Sequence, residues 1–310
     1  MHKQTKPGPP EWTLIKLIQW ATAYFDRHHI DSPRATAEIL LAHAIGAKRI
    51  DLYLRYDQPL NSDELNCFKT LIKRRKNREP VAYIVGHKEF WSIDLEVNRN
   101  VLIPRPETEC LVERALESLT ADPDPPSKFI LELGTGSGAV ILALASENAR
   151  HQYLATDISS DAVEVARRNA RRHGLDAKIR FMVADWFAPL DAKAGIFDLI
   201  VSNPPYIRSG DLKRLQPEIY VHEPVTALDG APDGLRCLRH IIQCAYLYLK
   251  PGGAVLLETG HDQQAALTQI IDACGQYEDV RFYKDYSGHD RIVSMRKRPC
   301  EENIKNNCKH

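Results

Sequence analysis

The sequence contains no apolar run approaching the roughly twenty residues that span a bilayer, and no secretory leader pattern at its start. It carries no surplus of either charge: Lys plus Arg total 41 and Asp plus Glu total 41. A chain that grips nucleic acid by its phosphates usually shows a basic excess, so a nucleic-acid substrate is not expected. The one dense basic cluster, Lys73-Arg74-Arg75-Lys76-Asn77-Arg78, falls where a helix is expected to end. Cations are favoured there, and the cluster reads as a solvated helix end. The seven cysteines, at 67, 110, 237, 244, 274, 300 and 308, form no Cys-x-x-Cys pair, so no metal site is expected. There is also no internal repeat and no low-complexity block. These absences point to a reduced, cytoplasmic globular protein, expected to be a monomer.

What is present is an ordinary core-forming composition, 44% apolar and 26% charged over 310 residues. That length suits two domains. Residues 1–78 read as helical. Apolar residues recur at helical spacing from Trp12 through Ile15, Ile18 and Ala21 to Phe25. Ser32-Pro33 resembles an N-cap followed by proline at the first helical position, and Asn61 with Glu64 has capping-box spacing. Residues 79–106 read as a linker bearing a β-hairpin, with strands over Val81–Val85 and Phe90–Val97 around Gly86-His87. Residues 107–297 alternate helix and strand, which implies a mostly parallel, doubly wound α/β sheet of Rossmann type. Residues 298–310 read as a loose polar tail.

Two motifs carry the chemistry. In the first, the apolar strand Phe129–Leu133 runs into Gly134-Thr135-Gly136-Ser137-Gly138 and then a helix. Glycines allow a sharp turn and close approach of a ligand to the backbone. Asp157 ends the next strand, 19 residues after Gly138, where a carboxylate can accept hydrogen bonds from ribose hydroxyls. Gly134, Gly136 and Ala139 also satisfy the dinucleotide fingerprint, so at this point an oxidoreductase competes with a methyltransferase.

The second motif is Asn203-Pro204-Pro205-Tyr206, at the end of the strand Phe197–Val201. In a doubly wound sheet the carboxyl end of this strand shares a crevice with the glycine turn. The lone pair of an amide or aniline-like nitrogen is delocalised, so the nitrogen is a poor nucleophile. Accepting both of its N–H bonds orients it. Asn203 offers a side-chain carbonyl and Pro204 a main-chain carbonyl beside a stiff ring, while Tyr206 can pack against the planar group. Positioning then supplies much of the rate, and no strong general base is required. The pair of motifs favours methyl transfer from S-adenosylmethionine to a planar nitrogen, either an amide or a base amine.

With both motifs placed, the chain resembles the HemK/PrmC family of protein-(glutamine-N5) methyltransferases over roughly residues 10–296. The likeness includes Arg78–Ile84, Glu89-Phe90-Trp91, Leu102–Glu109, Ala184-Asp185-Trp186-Phe187, Glu223–Leu228 and Asp233-Gly234-Leu235. The resemblance implies a class I methyltransferase sheet and methylation of the Gly-Gly-Gln glutamine in peptide chain release factors. It implies that Gly134, Thr135, Gly136, Ser137, Gly138, Asp157, Trp186 and Asn203 line the S-adenosylmethionine site. Asn203, Pro204, Pro205 and Tyr206 would hold the glutamine, and the helical domain would contact the release factor. Glu132 stands where the family often has Asp; both carry a carboxylate. Methylation of a ribosomal-protein glutamine, or of adenine N6, are the alternatives.

Overall fold

The computed structural model describes residues 12–119, 126–188, 190–192 and 195–299, in two compact units. The first comprises residues up to Gly86 together with Pro217–His222. Its helices are α1 (Leu14–Arg27), α2 (Pro33–Ala44), α3 (Arg49–Leu54), α4 (Ser62–Lys76) and α5 (Val81–Val85). Leu14, Ile18, Phe25, Leu40, Leu41 and Phe68 fill their shared core. The capping box forms as expected: the Asn61 side chain accepts from Asp63 N and Glu64 N, and Glu64 accepts from Asn61 N. Pro33 does open α2, but Ser32 adopts a left-handed φ of 48° and makes no side-chain cap.

Two expectations fail in this unit. Val81–Val85 is one turn of helix, not a strand. Five apolar residues carry no readable period. Packing of Ile84 into the helical core overrides the β-preference of Val and Ile, and Gly86 stops the turn at φ 83°. The basic cluster is also more than a solvated helix end. Arg74 pairs with Glu79 at 2.6 Å. Arg75, itself buried, pairs with Glu218 at 2.8 Å, and Arg78 reaches the same carboxylate at 3.3 Å. Three cations are thus spent within the unit, two of them holding the helix Pro217–His222.

The second unit comprises residues 87–216 and 223 onward. It opens with the hairpin β1 (His87–Phe90) and β2 (Ile93–Glu96), later in the chain than expected. The turn is Trp91-Ser92, with φ of 52° and 58°, the left-handed pair of a type I′ turn. Trp91 is held there by Glu109, which accepts from its backbone N–H, and by Glu147, which accepts from its indole N–H.

The remaining elements follow in chain order: α6 (Glu109–Leu119), β3 (Phe129–Leu133), α7 (Ala139–Glu147), β4 (Gln152–Asp157), α8 (Ser160–Arg172), β5 (Ile179–Val183), β6 (Phe197–Ser202), α9 (Pro217–His222, in the first unit), α10 (Arg236–Tyr248), β7 (Leu249–Glu258), α11 (Gln264–Cys274), β8 (Tyr277–Lys284) and β9 (Asp290–Lys297). One seven-stranded sheet runs β5-β4-β3-β6-β7-β9-β8, parallel except for β9, which is antiparallel to both of its neighbours. Apolar clusters cover both faces, as a doubly wound sheet requires. Strand order reverses between β3 and β6, so the ligand crevice should open there. The inserted β9 departs from the all-parallel dinucleotide order. The expected tail is ordered at least to Arg298, whose side chain donates to Tyr277 O. Residues 300–310 lie outside the described residues.

Asn169 on α8 ties three segments together. It is fully buried, accepts from Glu96 N at 2.7 Å, and donates to Glu96 O at 3.0 Å and Ser137 O at 2.9 Å. Hairpin and glycine turn therefore share one amide. Asn169→Ala should lower unfolding free energy by about 2–4 kcal/mol, since the partners it strands are shielded from water. Urea titration checks this; a loss below about 0.5 kcal/mol, the usual surface range, contradicts it.

Candidate active site

The strand ends bring the predicted residues to one edge. β3 pairs with β4 on one side and β6 on the other, so Leu133 lies beside both Thr156 and Ser202. The next residues along each strand are Gly134, Asp157 and Asn203. A cavity of about 1150 Å³ opens over these ends, within the second unit. Gly134, Thr135, Gly136, Ser137, Asp157, Trp186, Asn203 and Pro205 are among its walls. Gly138, Pro204 and Tyr206 are not.

The glycines do different things. Gly134 and Gly136 have φ of 71° and 55°, and a Cβ on either would meet nothing within 4 Å. Both leave open space on the cavity side. Gly138 has φ 84°, and a Cβ there would lie 2.3 Å from Leu142 Cδ1 and 3.2 Å from Ala166 Cβ. The third glycine thus serves close packing of α7 against α8.

Asp157 is set before any ligand arrives. Its Oδ2 accepts from Gly136 N at 2.9 Å and its Oδ1 from Ser159 N at 2.9 Å. Each carboxylate oxygen retains a lone pair for a ribose hydroxyl. Burial pushes its pKa up, and the backbone donors oppose that. Beneath the turn, Glu132 Oε2 accepts from the Thr135 hydroxyl at 2.5 Å. Burial raises the Glu132 pKa to about 8, against the Thr135 and Ile141 hydrogen bonds, and nearby Asp157 adds to the rise. This carboxyl therefore keeps its proton to a higher pH than an exposed glutamate does. Trp186 follows β5 with φ 51°, a conformation that costs a non-glycine residue about 1–3 kcal/mol. Its ring lies 6.2 Å from that of His240 on α10, and both line the cavity.

The Asn203 side chain donates from Nδ2 to Thr108 Oγ1 at 3.1 Å, which leaves Oδ1 as the acceptor end. Pro204 is buried. Tyr206 is gripped at both ends: its hydroxyl donates to Glu258 Oε1 at 3.0 Å, and its carbonyl accepts from Gln263 Nε2 at 3.0 Å. Both contacts hold the loop in place. Gln263 also donates to Gly234 O at 3.1 Å, joining the two ends of the long connection from β6 to α10. Gly234 must be glycine, since a Cβ there would meet Tyr206 O at 2.6 Å. Arg105, in the cavity wall, pairs with buried Glu223 at 2.6 Å.

Thr108, Glu258, Gln263 and Glu223 were not singled out as site residues. Thr108 and Glu223 lie in the segments that resemble the family, which assign them no role. Glu258 ends a core strand, and the rule that ligands gather at carboxyl ends was signal enough to find it. Gln263 carries no sequence signal. Among the described residues, no cluster of His, Cys, Asp or Glu could hold a metal ion.

Comparison with known proteins fits this geometry. The profile of the PrmC N-terminal domain matches residues 16–86, and that of a methyltransferase domain matches residues 126–303. The chain is 40% identical to the release factor glutamine methyltransferase of Caulobacter vibrioides, over 93% of this chain and 98% of that one. It is 37% identical to that of Rhodopirellula baltica, over 92% and 97%. The hMettl16 catalytic domain, solved with the MAT2A 3′UTR hairpin 6, is 14% identical with a TM-score of 0.54 over 77% of this chain and 82% of that one, a likeness of fold alone.

The methyl donor of such a domain is S-adenosylmethionine, and the open glycine cradle with its fixed carboxylate fits it. Asp157→Ala should weaken donor binding by about 1.5–3 kcal/mol, roughly 10- to 150-fold; unchanged affinity by calorimetry would remove Asp157 from the donor site. Glu132 gives a pH signature. The folded chain keeps its proton up to about 8, whereas the unfolded chain loses it near 4.5. Its contribution to stability is full below that lower value and falls as pH rises toward the upper one. Glu132→Gln should flatten this fall in donor-free melts recorded across the window; an unaltered slope counts against a protonated Glu132.

Proposed function

The chain belongs to the family of release factor glutamine methyltransferases, and from that premise we propose that it methylates the side-chain amide nitrogen (N5) of the Gly-Gly-Gln glutamine in peptide chain release factors. The observation that carries the chemical reading is the position of Asn203. Its amide sits in the wall of the cavity that holds the glycine turn, with its nitrogen spent on Thr108.

S-adenosylmethionine supplies an electrophilic methyl group on a sulfonium. The residues of the chain do the rest by placement. Asn203 Oδ1 accepts one N–H of the glutamine amide, and the Pro204 carbonyl accepts the other. Together they hold the nitrogen face-on to the methyl position. Pro205 forms the adjoining wall, and Tyr206 keeps the segment in place through Glu258 and Gln263. Gly134, Thr135, Gly136, Ser137 and Asp157 cradle the donor, and Trp186 with His240 bounds it beyond β5. Orientation of this kind removes a large part of the barrier. The nitrogen becomes acidic once methylated, so its proton leaves late and without a dedicated base.

We assign recognition of the protein substrate to the helical unit. Its family profile ends at residue 86, and none of the cavity walls belong to it. We take the enzyme to be a cytoplasmic monomer; no described helix is long and apolar enough to cross a membrane.

The test is transfer of labelled methyl from S-adenosylmethionine to purified release factors, with the modified residue mapped by mass spectrometry. Label on a ribosomal protein or on adenine in place of the release factor would overturn the substrate assignment. Asn203→Ala should cut turnover at saturating substrates by about a hundredfold or more, from a lost buried hydrogen bond and a misplaced nucleophile, with the fold intact by circular dichroism. Asn203→Asp keeps an acceptor oxygen and should retain more activity than Ala. A folded Ala variant turning over at the wild-type rate would refute the proposed orientation.

A further inference from the structure

The methyl donor carries a charge that the glycine cradle and Asp157 leave unanswered. Beyond its sulfonium, S-adenosylmethionine ends in an amino acid, with an ammonium group and a carboxylate. The cavity wall holds four carboxyl side chains, Glu132, Asp157, Asp185 and Asp229. A carboxylate moved from water into such surroundings is costly unless a cation or several N–H groups receive it. The basic side chains of the wall are Arg105, Arg236 and His240.

Their places differ. Along the sheet edge Trp186 follows β5, Asp157 closes β4, Gly134 follows β3 and Asn203 follows β6. With the ribose on Asp157 and the methyl group at Asn203, the base falls toward Trp186 and the amino acid toward Asn203. His240 lies 6.2 Å from Trp186, at the end taken by the base, and Arg236 comes one turn earlier on the same helix. Arg105 is tied to the other end. Its carbonyl accepts from Thr108 N at 3.1 Å across the 3-10 turn Pro106–Thr108. The Thr108 hydroxyl in turn accepts from Asn203 Nδ2 at 3.1 Å. Only a few bonds join the sulfonium to the carboxylate, so the carboxylate lies close to where the methyl group is handed over.

The Arg105 side chain is held ready for an anion. Glu223 is 4% exposed; its Oε1 accepts from Arg105 Nη2 at 2.6 Å and its Oε2 from Ile103 N at 3.2 Å. The guanidinium is thus fixed through one nitrogen, while its Nε and Nη1 have no partner among the described residues. The side chain is 30% exposed and belongs to the cavity wall. A guanidinium matches a carboxylate in shape and donates charge-assisted hydrogen bonds to it, and one that is already oriented loses little freedom in doing so.

We propose that Arg105 receives the α-carboxylate of S-adenosylmethionine and so fixes the amino-acid end of the donor beside Asn203. It touches the donor and takes no part in bond making. This inference rests on the donor site and on methyl delivery at Asn203 as given above.

The test is calorimetric titration of the full chain with S-adenosylhomocysteine and with its carboxamide, which differ only in the charge of the group in question. The wild type should prefer the acid by about 10- to 150-fold, the worth of charge-assisted hydrogen bonds. Arg105→Gln should bind the two within about twofold of each other by losing affinity for the acid alone. Arg236→Gln should keep the wild-type preference. Equal binding of acid and carboxamide by the wild type would overturn the proposal with no variant needed. So would a preference that survives in Arg105→Gln, a preference that disappears in Arg236→Gln instead, or an equal loss of both ligands in Arg105→Gln, which would mark a structural role through Glu223. If the wild type binds neither ligand, the donor site itself is wrong; if it binds both alike, only the role of Arg105 is.

Discussion

At the carboxyl edge of the sheet, the Ser202 hydroxyl donates to Leu133 O at 2.7 Å, closing the seam between β3 and β6. The two strands are 69 residues apart in sequence at that point, yet each releases its functional turn at the next residue. Both motifs depend on this registration. A slip of one residue would reverse the faces of β6 and carry the Asn203 amide away from the glycine cradle. Buried strands on each side, and helices on both faces, make such a slip costly.

Much of this was readable because it rests on local chemistry. Glycines before a helix, an acid closing the next strand and an asparagine before two prolines each state a backbone requirement. Core strands such as Phe129–Leu133 and Phe197–Ser202 stand out as mostly apolar runs. The hairpin was harder. Its turn is built from Trp91 and Ser92, neither a usual left-handed residue, and is held by Glu109 and Glu147 from elsewhere in the unit. Only tertiary contacts pay for that conformation, so the sequence around Gly86 pointed to the wrong turn. Val81–Val85 misled for the same reason: its helix depends on the core it meets.

Polar partners at the site were less legible than its motifs. Thr108 reaches Asn203 across 95 residues and Glu258 reaches Tyr206 across 52; no spacing rule links them. Zero net charge likewise concealed four carboxyls, Glu132, Asp157, Glu223 and Glu258, whose pKa values burial drives upward. All four serve to fix donors around the cavity. Composition counts charges, but what matters here is which of them lie out of water and what they hold in place. The basic cluster at 73–78 shows the converse, since three of its arginines are engaged in ion pairs.

The connection after Tyr206 is pinched shut at its base. Ile207 N–H donates to Leu228 O, Gly230 N–H to Ile207 O and Ser209 N–H to Ala231 O, while Gln263 clasps Tyr206 and Gly234 together. A stem of this kind mechanically insulates Asn203 and its neighbours from the chain beyond it. Lengthening a loop with a fixed base costs little, about 0.6 kcal/mol for each doubling, and the change is not transmitted past the clasp. Change is therefore best absorbed in the short stretch between Leu212 and Pro217, because beyond it Glu218 is held by Arg75 and Arg78, Glu223 by Arg105, and residues 224–227 line the cavity. In evolutionary terms that stretch can vary while the cavity beside it keeps its shape.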